Sequence, residues 1–316
     1  MPAPSLPPPA AVPSSIDYAE LGCRLRAYRI GASLLADEVA ERLGISRAAL
    51  YRMEQGKIVK IETLERLAQL LGTSLASLLG VEVEYYSTAR GFLERMRQIE
   101  QEAERIVAHF EPISQLLASD DYQEHLRAML LESLPQSAPQ AARHRTEVAG
   151  ILDILAERKA AFAARRPNVV SLIGLRELEL FLRTGLVGTL DLDESTRRQR
   201  IEAARKEVER IAELMENGPM HIRIGLIEDA MPAASFQLLY GAQRTVLAVS
   251  PFRLGEMPSI RNGIATITAA PEPVRLYEEM TEWLWENALK GKTGAAQLRR
   301  TVGPDLTPPH PLEAPP

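Results

Sequence analysis

The stretch from Ala36 to Gly56 constrains this chain more than any other. Val39, Ala40 and Leu43 recur at helical spacing and stop at Gly44, a residue that takes left-handed φ without a Cβ penalty. Two residues later Ser46 offers an N-cap to a second short helix, which holds Leu50 and Met53 and stops at Gly56. Helices joined by so short a turn cross at close range. Ala40 supplies the small residue at the crossing, and Val39, Ile45, Leu50 and Met53 pin one helix to the other.

The same punctuation continues on both sides. Leu21, Leu25 and Tyr28 form one helical stripe. Leu64, Leu67, Ala68 and Leu71 form another, closed by Gly72, and Ser74 caps a last short helix with Leu75, Leu78 and Leu79 before Gly80. Five helices between Asp17 and Gly80 predict a small all-helical domain over 17–80, with its two-helix motif at about 36–55.

These residues resemble the phage-repressor (XRE, Cro-type) helix-turn-helix family over Leu21–Leu79. Leu21-Gly22, Arg24-Leu25-Arg26 and Arg29 look like its first helix, and Met53-Glu54-Gln55-Gly56-Lys57 like the end of its recognition helix. Leu67-Ala68, Leu71-Gly72-Thr73-Ser74 and Leu78-Leu79 look like its closing helices. The resemblance implies double-stranded DNA as partner, with the second motif helix in the major groove. Arg47 and Arg52 are then the candidates for guanine O6 and N7, Ala48 for a thymine methyl, and Tyr51 for base edge or backbone. Ser46, Lys57 and Lys60 are the candidates for phosphates, which set register without reading sequence. Leu35 and Ala36 stand where family members often carry a polar residue and Gln for a phosphate anchor. The 17–80 segment has nine basic and eight acidic residues, so non-specific binding is expected to be weak at physiological salt.

At 316 residues the chain has room for two or three domains. A composition 46% hydrophobic and 25% charged excludes a wholly disordered chain, and a net charge of −5 excludes a globally basic coat. Cys23, the only cysteine, excludes an internal disulfide and any multi-cysteine metal site, which fits a reducing compartment. The apolar runs are too short for a membrane span and the start lacks a charged n-region, so a soluble cytoplasmic bacterial protein with no membrane partner is expected. Residues 1–16 and 303–316 are Pro-rich and are expected to be disordered.

Phe92, Met96, Ile99, Ala103, Ile106 and Phe110 are spaced 4, 3, 4, 3, 4, which predicts one helix over 91–110 with Glu94, Arg95, Arg97 and Glu100 on its outer positions. It reads equally as a dimer seam or as a helix packed within its own domain, inside a helical connector spanning 84–135. Residues 145–302 read as an α/β effector or oligomerisation domain. Its helices are expected at about 141–165, 196–215 and from Pro273 to Ala288, and its strands at 169–173, 221–227, 235–240, 245–250 and 263–268. This order more weakly resembles the phospholipase-D-like C-terminal domain of bacterial regulators. After His221 comes Ile222-Arg223, and no histidine here supplies the His-x-Lys pair of that chemistry. The histidines are scattered and are expected to be exposed or satisfied in place, so no catalytic, metal or cofactor site is expected.

The fold class expected is therefore multi-domain α plus α/β: a five-helix bundle, a helical connector and a mixed α/β domain. The function expected is a dimeric, sequence-specific transcription regulator whose C-terminal domain senses a small-molecule or protein effector. The alternative is an antitoxin-like, partner-binding protein with autoregulatory DNA binding. For the dimeric regulator, a fragment Asp17–Gly80 is expected to keep its fold and lose most of its affinity.

Overall fold

A computed structural model describes residues 17–57, 60–81, 83–134, 138–255 and 257–303. The expectations for the Pro-rich ends at 1–16 and 304–316 lie outside the described residues. The five N-terminal helices form as expected: α1 Tyr18–Gly31, α2 Ala36–Leu43, α3 Arg47–Glu54, α4 Ile61–Leu70 and α5 Leu75–Leu79. Asp17 caps α1, and Ser46 and Ser74 cap α3 and α5 by accepting from Ala49 N and Ser77 N. Leu21, Leu25, Val39, Leu50, Leu67 and Leu78 meet at the centre, each with almost no exposed surface.

Beyond α5 the chain builds a mixed α/β domain on an eight-stranded sheet. Its strands are β1 Val83–Tyr86, β2 Arg105–His109, β3 Asn168–Gly174, β4 Ile222–Ile227, β5 Ser235–Tyr240, β6 Thr245–Ser250, β7 Ala265–Thr268 and β8 Leu289–Lys290. The order is β1-β7-β6-β5-β2-β3-β4-β8, with β2, β3 and β4 parallel and all other pairs antiparallel. The helices are α6 Ala89–Glu100, α7 Tyr122–Glu132, α8 Ala138–Arg165, α9 Leu175–Thr184, α10 Glu194–Asn217, α11 Pro271–Asn287 and α12 Gly291–Val302. Side chains alternate across each strand. Ile106, Ala108, Val169, Ile173, Ile224 and Leu226 pack with α6, α8, α9, α10 and α12, whereas Val107, Val170, Leu172, Phe236 and Leu238 pack with Val274 and Leu284 of α11.

The 84–135 segment is not a helical connector. The run 91–110 breaks after Glu100, and its second half is β2, paired with β3 and β5. Ile106, Val107 and Ala108 are all buried, which a central strand allows and a one-faced helix does not. The apolar stripe of α6 is used inside the chain: Phe92, Met96 and Ile99 join one core that runs unbroken from the N-terminal bundle to the sheet. It is therefore not free to serve as a dimer seam. The α/β unit begins at β1 and not near residue 145.

The supposed outer charges of α6 are its most buried polar groups. Arg95, 1% exposed, donates to both carboxylate oxygens of Glu84 on β1 at 3.0 and 3.1 Å, and pairs with Glu20 of α1. Arg24 of α1 reaches the carbonyls of Leu78 and Leu79 at 2.9 Å, and the Tyr86 hydroxyl donates to Glu84 at 2.7 Å. Gly31 and Gly91 let α1 and α6 touch backbone to backbone, since a Cβ on Gly31 would stand 2.9 Å from the Gly91 Cα. Tyr28 and Tyr86 stack with centroids 4.7 Å apart.

Excision at Gly80 removes α6 and β1 and uncovers Arg24, so the 17–80 fragment should be far less stable than a fragment ending after α6; urea unfolding of the two compares them. A second outcome concerns pH. Burial works against ionisation of Glu20, but Arg95 and then Arg244 outweigh it and hold the carboxyl down at about 2 against an ordinary 4.5. A depressed folded-state value adds stability above the unfolded value and loses it as the acid is protonated. Stability should therefore fall between about pH 4.5 and 2, and Glu20→Gln should flatten that part of the urea–pH profile.

Candidate nucleic-acid interface

The turn between α2 and α3 is built from Gly44, Ile45 and Ser46. Gly44 closes α2 at φ +68, and a Cβ there would meet nothing within 4 Å, so the glycine serves backbone conformation and not space. Ala40 is buried at the crossing, Leu50 is fully buried, and Ile45 and Met53 are half-buried. This registry turns the other side of α3 to solvent: Arg47, Ala48, Tyr51 and Arg52 are all exposed.

Arg47 lies along the helix surface. Its Nη2 donates to the Tyr51 hydroxyl at 3.1 Å, its Cζ stands 5.3 Å from the Tyr51 ring centre, and Nη1 is 3.2 Å from Asp37. Exposed pairs of this kind are weak, so the guanidinium is free to exchange them for another acceptor. Arg52 makes no hydrogen bond or ion pair among the described residues. The Ser46 hydroxyl accepts the Ala49 amide at 3.1 Å and keeps its own proton to donate. Lys57 and Lys60 are exposed on either side of the α3–α4 connection, and Lys60 occupies the N-cap position of α4 without a side-chain cap bond.

The near-neutral charge of the bundle conceals a sorting that spacing along the chain does not show. Arg29 of α1 holds Glu54 at the end of α3, Nε to Oε1 at 2.5 Å and Nη2 to Oε2 at 3.1 Å, and also donates to the Leu34 carbonyl at 3.1 Å. Arg66 donates to the Leu43 carbonyl at 3.1 Å, covering an open end of α2. Arg24 is committed to the α5 carbonyls. Arg24 and Arg29 thus face inward, Arg66 spends one donor on that carbonyl from an exposed position, and Arg26 turns to Glu94 of α6 at 3.4 Å. Arg42, Arg47, Arg52, Lys57 and Lys60 are left outward. Pairs 23 and 25 residues apart leave no trace in local spacing, although the Arg29 and Glu54 positions belong to the family signature.

That signature has a steric basis too. A Cβ on Gly22 would lie 2.5 Å from the Glu54 carbonyl oxygen, and one on Gly56, at φ +82, 2.9 Å from the Ala19 Cα and N. The end of α3 is thus seated on the backbone of α1. Leu35 is exposed and Ala36 faces the core, so neither supplies the polar anchor of the family pattern.

Residues 20–79 match the family of the helix-turn-helix domain. The N-terminal bundle is a helix-turn-helix domain. No curated protein matches the chain. Among solved structures, the chain is similar to Nuc, a phospholipase D family member from Salmonella typhimurium, at 13% identity and a TM-score of 0.31, over 66% of this chain and 95% of that one. It is similar also to TrmBL2, an archaeal chromatin protein, at 12% identity and a TM-score of 0.29, over 84% of this chain and 92% of that one.

The α/β domain holds few groups poised for chemistry. Among the described residues no three His, Cys, Asp or Glu side chains are placed to hold a metal ion, and no helix is long and apolar enough to cross a membrane. His221 is half-buried at the turn before β4. Two histidines depart from expectation: His144 of α8 has a buried Nδ1 without a hydrogen-bond partner, and His109 on β2 is fully buried, its Nδ1 3.2 Å from the Leu172 carbonyl and its Nε2 without a hydrogen-bond partner, Glu111 standing 3.8 Å away. Cys23 of α1 is half-buried, and burial pushes its thiol up, which disfavours the reactive thiolate. Of the two tryptophans, Trp283 is exposed and Trp285 lies half-buried under Arg223 and Lys290.

The outward face depends on the seating of α3. Gly56→Ala forces a side chain into left-handed φ and against α1, and should cost about 1–3 kcal/mol in urea unfolding. Gly44→Ala meets no neighbour and should cost only the conformational part, about 1 kcal/mol.

Proposed function

We propose that the chain is a sequence-specific DNA-binding transcription regulator that reads the major groove with α3. One observation carries this reading: among the described residues nothing covers the outer face of α3, and the sheet domain packs behind α1 and α5. Arg47 and Arg52 lie five residues apart, so they reach different base pairs, each with a fork suited to guanine O6 and N7. Ala48 between them fits a thymine methyl, and Tyr51 both holds Arg47 and offers its hydroxyl to an edge or a phosphate. Ser46, Lys57 and Lys60 fasten the backbone on either side.

The chain acts as a homodimer on two half-sites about one helical turn apart, which adds a second set of contacts to a modest single-domain affinity. With α6 buried inside the chain, self-association falls to surfaces of the α/β domain. That domain senses an effector and transmits its state through α6. On this reading the protein works in the cytoplasm, on the nucleoid.

Fluorescence anisotropy with DNA from the gene's own upstream region is the test. Arg47→Ala and Arg52→Ala should each weaken binding by about 1–3 kcal/mol and relax preference at one base pair. Lys57→Ala should weaken binding to all sequences and lower the salt slope by about 1. Asp37→Asn should tighten binding, because it frees Arg47 and removes an anion beside the phosphates. Loss of binding that is equal for every surface arginine, α3 or not, would contradict readout by this helix.

A further inference from the structure

The strand order contains a switch point. From β2 the chain moves to β3 and then β4 on one side, then crosses back to place β5 against the opposite edge of β2. In open α/β sheets the crevice at the carboxyl end of the strands at such a point is where ligands are held. Here a cavity of about 50 Å³ occupies that crevice, walled by Phe92 and Leu93 of α6, Phe110 after β2, and Phe252 after β6.

The walls are apolar, but the floor is not. Gln237 on β5 is 2% exposed, lines the cavity, and its side-chain oxygen has no hydrogen-bond partner. Gln115, also in the lining, has the same defect. A buried amide oxygen left unpaired is costly, and two around one cavity mark a place where a partner belongs. Ser235 and Ser250 add buried hydroxyls from β5 and β6. At ~10–15 Å³ per water-sized group the space suits about four such groups, and the aromatic walls favour a carbon skeleton over loose water.

The charges at the rim come in opposed pairs. Arg158 is held by Glu100 at 2.6 and 2.9 Å, and Arg253 stands 3.9 Å from Glu111. A charged ligand would find no unmatched counter-ion.

We propose that this cavity is a binding site for a small uncharged molecule of about four to six heavy atoms that carries hydroxyl or amide donors, with Gln237 and Gln115 as its acceptors. Its occupancy reaches the helix-turn-helix domain through α6. That helix gives Phe92 and Leu93 to the cavity, while Gly91 and Arg95 on the same helix touch α1. The binding claim stands apart from the DNA reading; only the coupling rests on it.

The full chain is titrated with glycerol, 1,2-propanediol, acetamide and propanamide while the thermal midpoint is followed, beside Gln237→Met, which keeps the side-chain length and removes the amide. At least one compound should raise the midpoint with saturation at millimolar concentrations, and Gln237→Met should weaken that response about tenfold or more. Should Gln237→Met fail to fold, Ser235→Ala takes its place and should weaken the response severalfold. A rise that never saturates, no rise with any of the four, or an equal response in a folded variant overturns the site. The saturating compound is then added to the DNA complex, where a shift in the anisotropy midpoint is expected. An unmoved midpoint overturns the coupling. Absence of DNA binding without any compound overturns the regulator reading and leaves the thermal result standing.

Discussion

A guanidinium without water around it organises the junction between the two halves of this protein. Arg95 cannot be buried unless carboxylates meet it, and the two that do come from different elements: Glu84 from β1 and Glu20 from α1. Arg24 and Arg244 complete the charge balance around Glu20. Such a cluster adds little net stability over an apolar one, yet removing one member strands the rest. It therefore acts as a registry device. Helix α6 has one seat on α1, β1 has one place at the sheet edge, and the outward helix α3 is oriented with respect to the sheet as a consequence.

The helix-turn-helix domain is legible in the sequence because its constraints are local. Gly44, Ser46, Ala40 and the 3.6-residue stripes each report on neighbours within one or two turns, and the structure places them as the spacing implies. The strands β5 and β6 are legible for the same reason, as short bounded runs, aromatic and leucine-rich in β5 and β-branched in β6. The 84–135 segment is not. Ile106 continues a 4, 3, 4, 3 spacing from α6, and only the sheet on both sides of β2 explains why Val107 and Ala108 are buried as well. Helix α12 and the short strands β1 and β8 owe their existence to packing, with α12 laid on α10 through Gly294, Ala295 and Leu298.

Charge is the least legible property. Counting nine basic against eight acidic residues treats all of them as free surface charge, whereas Arg24 and Arg29 are internal fasteners, Glu20 and Glu54 are their partners, and Arg66 is engaged at the Leu43 carbonyl. The candidate readers Arg47 and Arg52 stand out only once those inward cations are set aside. Likewise Gln237 and Gln115 give no signal in sequence, because an unpaired amide is a relation between strands and a loop, not a pattern along the chain.

On the proposed reading the outer face of α3 touches DNA while the sheet domain stays behind it. Site-specific photocrosslinking tests this directly. A benzophenone amino acid placed at Ala48, which has no internal partner to disturb, should crosslink to labelled upstream DNA, and the same group at exposed Leu276 on α11 should not. A DNA complex that crosslinks from Leu276 and not from Ala48 would contradict the account.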